Sequence, residues 1–316
     1  MPPFVSLLAL AASGLLSQEI TASAPGGDLK GLWTRAANPS APVLLVIPGS
    51  GPTDRDGNSP LGIQAGTYRL LAEALGEKGV STVRIDKRGM FSSAAASSDP
   101  NAVTIDDYAD DLRRWVKTVR AATGAACVWL LGHSEGGLVA LAAAQSAADV
   151  CGLILVATPG RPLGEVLRAQ LHANPANAPF LAQADAAIEA LTRGDRVDGG
   201  TLPTELMPLF APAVQGFLVS AFSLDPAKLL AGVSKPVLIL QGDSDIQVGV
   251  ADAEALKAAA PSATLVRLPG INHVLKSVPP NDPAANVATY ADPDLPLAPG
   301  VAEAIIEFLE AHEKPD

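Results

Sequence analysis

Six short, almost wholly apolar runs dominate the hydrophobic pattern of the chain. They cover residues 43–47, 81–85, 128–131, 153–156, 237–240 and 263–267. Continuous apolar runs of this length are typical of strands buried on both faces, and helical stretches separate most of them. The alternation predicts an α/β fold with a mostly parallel central sheet flanked by helices.

A hairpin and a helix can also be predicted, the hairpin from its turn and the helix from the residues at its start. Residues 18–23 and 29–34 have the character of strands, and the Pro-Gly-Gly-Asp turn at residues 25–28 joins them into a predicted hairpin. Thr104 and Asp107 have the spacing of a capping box. A helix is therefore expected to begin there and to bury one apolar stripe.

The alternation stops between residues 161 and 233. Prolines punctuate this stretch, and no strand pattern interrupts its three helical patterns, at residues 163–172, 180–191 and 205–223. A helical excursion that leaves a sheet and returns to it is expected to cover the carboxyl ends of the strands. We therefore predict a helical cap at residues 161–233, inserted into a core formed by residues 18–160 and 234–316.

Residues 132–136 have the sequence Gly-His-Ser-Glu-Gly, which is the G-x-S-x-G pattern of a nucleophile elbow. An apolar run ends at Gly132 and an apolar helical stretch begins at Leu138, so the motif has the strand and helix that it requires. The glycines leave room for a sharp turn from which the central serine projects. Ser134 is the predicted nucleophile, and the predicted cap follows the next strand after it.

A serine hydroxyl needs a base and a carboxylate that orients this base. Of the four histidines, His273 follows the last predicted strand, at the same sheet edge as Ser134. His133 lies in the elbow, where its ring should point away from the serine. His172 lies in the predicted cap, and His312 lies in the C-terminal tail. Two carboxylates follow the preceding strand. Asp245 is the preferred acid, because the turn after Gly242 should carry it towards the histidine loop, and Asp243 is the alternative.

The order Ser134, Asp245, His273 is that of the α/β-hydrolase arrangement. On these residues the chain resembles the α/β-hydrolase superfamily over nearly its whole length. The Gly-Ser-Gly-Pro-Thr-Asp-Arg-Asp segment at residues 49–56 is similar to a loop of a bacterial serine esterase subgroup. The resemblance implies that the backbone N–H groups of Ser50 and Glu135 form an oxyanion hole.

The Asp-Lys-Arg-Gly segment at residues 86–89 also resembles this subgroup. We expect scaffolding roles for Asp86 and Arg88. The subgroup continues with G-x-G-x-S, whereas this chain has Phe91 in place of the second glycine. The loop is therefore expected to differ in shape near the site.

These residues predict a serine hydrolase that cleaves carboxylic esters of short acyl chains through an acyl-enzyme. The chemistry requires no metal and no organic cofactor. Three alternatives stay open at this point: an acyltransferase or a serine peptidase on the same triad, and a non-catalytic binding protein on the same scaffold.

The net charge of −11 argues against nucleic acid or an anionic membrane as a partner. The expected partner is a small-molecule ester, and the sequence carries no signal for an oligomeric state. Residues 1–17 include an apolar run of signal-peptide length that is too short to span a bilayer, which argues against stable membrane insertion. We expect this run to be a signal peptide and the protein to be periplasmic or secreted. The alternative is a cytoplasmic protein in which the run forms a short N-terminal helix.

The two cysteines, Cys127 and Cys151, each stand at the beginning of a predicted core strand. Those two strands should be parallel neighbours, so the cysteines should start side by side. A disulfide and a pair of small buried side chains are both open interpretations.

Overall fold

A computed structural model describes residues 15–146 and 148–312 of the 316-residue chain. Its strands form one eight-stranded sheet. They are β1 Leu16–Ala24, β2 Gly27–Arg35, β3 Val43–Ile47, β4 Ser81–Ile85, β5 Val128–His133, β6 Val150–Val156, β7 Val237–Gly242 and β8 Thr264–Leu268. The six predicted runs and the hairpin are confirmed as strands, with ends that differ by up to three residues.

The sheet has the order β1-β2-β4-β3-β5-β6-β7-β8. The β1–β2 hairpin joins the edge of the sheet through an antiparallel pairing of β2 with β4. All the remaining pairs, from β4 to β8, are parallel. The predicted α/β fold with a mostly parallel sheet is confirmed.

Helices cover both faces of the sheet because the central strands are apolar on both faces. Leu45 and Leu130 point into one hydrophobic core and Leu44 and Leu131 into the other. Burying each such side chain is worth about 1.5–3 kcal/mol. The helices outside the 161–233 segment are α1 Thr67–Glu77, α2 Ile105–Thr123, α3 Glu135–Ala144, α9 Val250–Ala259, α10 Pro283–Ala288 and α11 Val301–Glu310.

The start of α2 confirms the predicted capping box. The Thr104 hydroxyl accepts from the backbone N–H of Asp107, and the Asp107 side chain accepts from the backbone N–H of Thr104. The helix then buries an apolar stripe that includes Tyr108 and Trp115. It ends at Gly124, whose φ of 75° favours glycine.

The chain between β6 and β7 is helical. It contains α4 Leu163–Ala173, α5 Leu181–Thr192, α6 Met207–Phe210, α7 Gln215–Phe222 and α8 Pro226–Ala231. The prediction of one helix over residues 205–223 was wrong, because the chain bends between α6 and α7. Ala211 has an extended ψ of 143°, as expected for a residue whose helical conformation is disfavoured by the following Pro212.

β5 and β6 are parallel neighbours, and their amino ends carry the two cysteines. Cys127 and Cys151 form a disulfide, with a Cα–Cα distance of 5.2 Å. Val128 pairs with Val150 at the amino ends of these strands, so the disulfide lies there. Ser134 follows the carboxyl end of β5 and therefore lies at the opposite end of the strands. The strand arrangement predicted for the two cysteines is confirmed.

Within the described ranges, no single helix is both long and apolar enough to cross a membrane. Residues Thr204–Phe210 and Gln215–Phe222 meet those criteria only as a pair bent by 63°.

Candidate active site

Ser134 occupies the turn between β5 and α3, where its backbone has a φ of 55° and a ψ of −126°. A Cβ on Gly132 would collide with the carbonyl oxygen of Gly136, and a Cβ on Gly136 would collide with the carbonyl of Ile47. The glycines of the motif are therefore required by close backbone approach. The turn leaves the Ser134 side chain partly exposed at the carboxyl end of the sheet.

The helix after this turn begins earlier than the sequence predicted. It was expected from Leu138, but α3 starts at Glu135, directly after the serine. The first backbone N–H groups of a helix have no partner within the helix, and they carry its positive dipole end. The N–H of Glu135 is one of these groups and lies next to Ser134.

Asp245 and His273 form a hydrogen-bonded pair beside the elbow. Nδ1 of His273 lies 2.7 Å from Oδ2 of Asp245, and both side chains are buried. The other oxygen, Oδ1, accepts from the backbone N–H groups of Gln247 and Val248, at 2.7 and 2.9 Å. A carboxylate can only accept, so Nδ1 carries the proton and Nε2 of His273 has a free lone pair.

Burial alone would raise the pKa of Asp245. Attraction to His273 in its protonated form, together with the hydrogen bonds from His273, Val248 and Gln247, outweighs that effect and holds the pKa of Asp245 below its ordinary value. Asp245 is therefore ionised at neutral pH, as an orienting carboxylate must be.

The alternative acid, Asp243, lies elsewhere. Its carboxylate accepts from Nε of Arg267 at 2.9 Å, on a partly exposed surface. The geometry therefore brings Asp245, and not Asp243, to His273.

His133 connects the serine and histidine segments through buried hydrogen bonds. Its Nε2 lies 2.8 Å from the carbonyl oxygen of His273, and its Nδ1 lies 2.9 Å from the hydroxyl of Tyr68. The carbonyl can only accept, so Nε2 carries the proton and Nδ1 accepts from Tyr68. Burial lowers the pKa of His133 to about 3, which keeps the ring neutral. Among the described residues, no direct hydrogen bond joins the hydroxyl of Ser134 to His273; the two segments meet through His133.

The loop after β3 packs directly against the elbow. A Cβ on Gly49 would lie 3.2 Å from the Cβ of Ser134. The N–H of Gly49 donates to the Tyr68 hydroxyl at 2.9 Å, and its carbonyl oxygen accepts from Nζ of Lys87 at 2.5 Å. Ser50 follows on the exposed side. Both implied oxyanion donors, the N–H groups of Ser50 and Glu135, therefore belong to segments that adjoin Ser134.

Charged residues brace the rest of this loop. The guanidinium of Arg55 binds the carboxylate of Glu19 on β1 at 2.8 and 2.9 Å, and the backbone N–H of Arg55 donates to Asp86 at 2.9 Å. Asp56 pairs with Arg84 of β4. The loop is thus fastened to the hairpin and to β4 at the same time.

Residues 43–289 match the model of the alpha/beta hydrolase family. The chain belongs to this family. It is 29% identical over 215 residues to esterase EstD of Thermotoga maritima, an alignment that covers 67% of this chain and 48% of that protein. The chain thus spans about half the length of this curated relative.

Solved structures share the α/β-hydrolase fold. A thermophilic esterase from Thermogutta terrifontis is 23% identical with a TM-score of 0.56, covering 95% of this chain and 100% of that one. Est1E from Butyrivibrio proteoclasticus is 19% identical with a TM-score of 0.56, covering 92% of this chain and 99% of that one. At these identities the likeness shows the fold alone.

Two residues of this α/β hydrolase site were not predicted from the sequence. Lys87 belongs to the Asp-Lys-Arg-Gly segment that resembles the esterase subgroup. The motif therefore marked this segment, but roles were predicted only for its neighbours Asp86 and Arg88. Tyr68 lies in α1 and carries no sequence signal at all. Both reach the site through contacts with Gly49.

The two remaining histidines take no part in the hydrolase site. His172 pairs with Asp185 on the surface, at 3.0 Å, and Nδ1 of His312 donates to the carbonyl of Phe308. In residues 15–146 and 148–312, no group of three or more His, Cys, Asp or Glu side chains could hold a metal ion.

Proposed function

We propose that the protein is a serine esterase in which Ser134, His273 and Asp245 form the catalytic triad. The observation that carries the proposal is the Asp245–His273 pair, because its geometry leaves Nε2 of His273 as a base at the sheet edge of the Ser134 elbow. The relationship to esterase EstD supports ester hydrolysis as the reaction.

In the first half of the reaction, Nε2 of His273 accepts the hydroxyl proton as Oγ of Ser134 attacks the ester carbonyl carbon. Asp245 stays ionised and stabilises the imidazolium that forms. The carbonyl oxygen becomes an oxyanion, for which the N–H groups of Ser50 and Glu135 are the proposed donors. As the tetrahedral intermediate collapses, the C–O bond to the alcohol breaks and His273 protonates the leaving oxygen.

In the second half, water replaces the alcohol. His273 takes a proton from the water as its oxygen attacks the acyl carbon of the Ser134 ester. Collapse of the second intermediate releases the carboxylic acid, and His273 returns the proton to Ser134. Each cycle consumes one ester and one water and leaves the enzyme unchanged.

A cleft of 520 Å³ lies beside residues 49–56, the loop that carries the proposed oxyanion donor Ser50 and is called the oxyanion loop. Its lining contains no residue of the triad. Asn58, Ile63, Gln64 and Phe91 contribute to its lining. Gln64 donates its backbone N–H to the carbonyl of Tyr290, whose hydroxyl in turn accepts from Gln247 in the Asp245 loop. The volume of this cleft lies in the range of small-molecule sites, and we propose it as the place of a small ester.

The helices between β6 and β7 are proposed to act as a cap over this region. The side chain of Gln170 in α4 donates to the carbonyl of Gln247, two residues after Asp245, at 2.8 Å. Arg161, ahead of α4, pairs with the buried Asp252 of α9. The first contact fastens the helical segment to the loop that holds the acid, and the second fastens it to α9.

We also propose that the protein acts outside the cytoplasm, in the periplasm or as a secreted enzyme. The Cys127–Cys151 disulfide supports this location, because disulfides persist in oxidising compartments. The apolar run predicted as a signal peptide, residues 1–17, lies almost wholly outside the described residues. Thiol labelling of the protein taken from separated cell fractions tests the location: protection of both cysteines in the exported fraction is expected.

The esterase proposal is tested with p-nitrophenyl esters from acetate to palmitate, using the wild type and Ser134→Ala side by side. The expected result is turnover that depends on Ser134 and is fastest with short acyl chains. Absence of Ser134-dependent hydrolysis at every chain length contradicts the proposal. Adding alcohols to the same assay and analysing the products detects acyl transfer in place of hydrolysis.

A further inference from the structure

The mechanism above leaves one buried ion pair without a role. Lys87 follows β4 and Glu135 begins α3, and both side chains are about 95% buried. Nζ of Lys87 lies 3.9 Å from Oε1 of Glu135. Burial lowers the pKa of Lys87 and raises that of Glu135, while the opposite charge of each partner counteracts the shift of the other. A buried ion pair is costly to desolvate, so its position calls for an explanation.

Both members of the pair touch the segments that carry the two oxyanion donors. The ammonium of Lys87 donates to the carbonyl oxygen of Gly49 at 2.5 Å. This carbonyl and the N–H of Ser50 belong to the same planar peptide group, so fixing the oxygen fixes the direction of the N–H. The carboxylate of Glu135 belongs to the residue whose own N–H is the second donor.

We propose that Lys87 is a positioning residue of the oxyanion hole, which holds the Gly49–Ser50 peptide by its carbonyl while Glu135 holds the ammonium. The inference rests on the proposed function and extends it to a residue that does not touch the substrate. The donors are thereby aligned before the substrate arrives, which is the condition under which an oxyanion hole is effective.

The cation acts on the strength of the donor as well as on its direction. Hydrogen bonds to a charged partner are stronger than neutral ones, and hydrogen bonds in series polarise one another. The Lys87 ammonium draws electron density towards the Gly49 oxygen, so the N–H of the same peptide becomes a better donor to an oxyanion. This effect is small for a neutral carbonyl and larger for the charged intermediate.

The backbone N–H of Gly49 is held as well as its carbonyl oxygen. Its N–H donates to the hydroxyl of Tyr68, which donates in turn to Nδ1 of His133. With the Lys87 contact, both polar groups of Gly49 have buried partners, and the residue packs against the Cβ of Ser134. The peptide between Gly49 and Ser50 therefore has little freedom to rotate, and Lys87 is the charged group that holds its carbonyl oxygen. The Glu135 carboxylate is also hydrogen-bonded to the Ser50 side chain, on the other side of this peptide.

The test compares Lys87→Met with the wild type in ester hydrolysis and in binding of a trifluoromethyl ketone, which forms an oxyanion when Ser134 adds to it. Removing an oxyanion donor costs about 10²–10³ in kcat, so misaligning one is expected to cost about 10–100-fold, with KM nearly unchanged. The affinity for the ketone should fall by the same factor as kcat/KM. A fall in kcat with unchanged ketone affinity overturns the inference.

The double variant Lys87→Met/Glu135→Gln separates positioning from stability. Lys87→Met alone leaves a buried carboxylate without its partner and should lower the melting temperature. Neutralising Glu135 as well should restore the melting temperature but leave kcat low. A double variant with the kcat and ketone affinity of the wild type overturns the inference. Lys87→Gln, which keeps a neutral donor, should retain more activity than Lys87→Met, and equal losses in these two variants also contradict it.

The next residue supplies a matched control. Arg88 forms an ion pair with Asp111, and both side chains are mostly buried. Arg88→Met/Asp111→Asn should lower stability without changing kcat or ketone affinity. A loss of kcat in this control equal to that in Lys87→Met overturns the specific role of Lys87. If the wild type shows no Ser134-dependent turnover, both the proposed function and this inference are contradicted. If the wild type is active and Lys87→Met has the same kcat and ketone affinity, only this inference is contradicted.

Discussion

Nδ1 of His273 is 2.7 Å from Oδ2 of Asp245, whereas Asp243, two residues earlier, is paired with Arg267. The two carboxylates differ in burial and in partner, so they provide a direct test of the triad.

Asp245→Asn is expected to reduce kcat about 10⁴-fold, because an amide can stabilise neither the required tautomer of His273 nor its imidazolium. Asp243→Asn removes only a surface ion pair, so its activity should stay close to that of the wild type. Steady-state hydrolysis of a short p-nitrophenyl ester measures both. Equal losses in the two variants would show that the acid is misassigned.

His133 makes stability depend on pH. Its pKa is about 6.5 in the unfolded chain and is lowered by burial to about 3 in the folded protein. Between these values only the unfolded chain binds the proton, so stability falls as the pH falls, by up to about 1.4 kcal/mol per pH unit. Asp245, whose pKa is also lowered, adds a loss in the same direction, which sets in below about pH 4.

Urea unfolding of the wild type and His133→Gln from about pH 7 to about pH 4.5 isolates this contribution, since the pKa of an unfolded aspartate lies lower. The amide can replace the donor and the acceptor of the ring without titrating. The variant should show the shallower dependence on pH. Parallel curves for the two proteins would mean that His133 takes up its proton in the folded state.

Reduction of the Cys127–Cys151 disulfide should destabilise the protein by about 3 kcal/mol, because the bond closes a loop with a sequence separation of 24. Activity at low temperature should persist, since the disulfide lies at the amino ends of β5 and β6, whereas Ser134 lies at the carboxyl end of β5. Thermal unfolding with and without dithiothreitol measures the effect. The control is Cys127→Ala/Cys151→Ala, which should unfold at the lower temperature whether or not the reductant is present.

Phe91 has a φ of 47°, an unfavourable conformation for a bulky side chain, at the position where the resembling subgroup has glycine. The side chain is 41% exposed, so its removal forfeits limited burial. Phe91→Gly should therefore be more stable than Phe91→Ala by about 1 kcal/mol, since only glycine relieves the strain. Urea midpoints compare them, and an alanine variant as stable as the glycine variant would contradict the assigned strain.

The sequence was a sound guide wherever local pattern determines structure. The apolar runs placed the strands, the Thr104–Asp107 spacing placed the start of α2, and chain order brought His273 to the edge that carries Ser134. Local pattern failed at Ala211, where an apolar helical period continued across a proline that breaks it.

The contacts around Gly49 could not be predicted from the sequence for a different reason. Tyr68 and Lys87 lie 19 and 38 positions further along the chain, and only the packing of α1 and β4 beside β3 brings them to this residue. Tyr68 has no periodicity or motif that would distinguish it from other core residues. Lys87 lies within the Asp-Lys-Arg-Gly segment, but nothing in that motif indicates a contact with Gly49.

The Arg55–Glu19 ion pair has a consequence for how the enzyme can be divided. Glu19 belongs to the hairpin, which lies before residue 43, where the match to the family begins. The same hairpin buries Trp33 in the core. A fragment cut at the family boundary is thus expected to lose a support of its oxyanion loop, because residues 43–289 alone do not include Glu19.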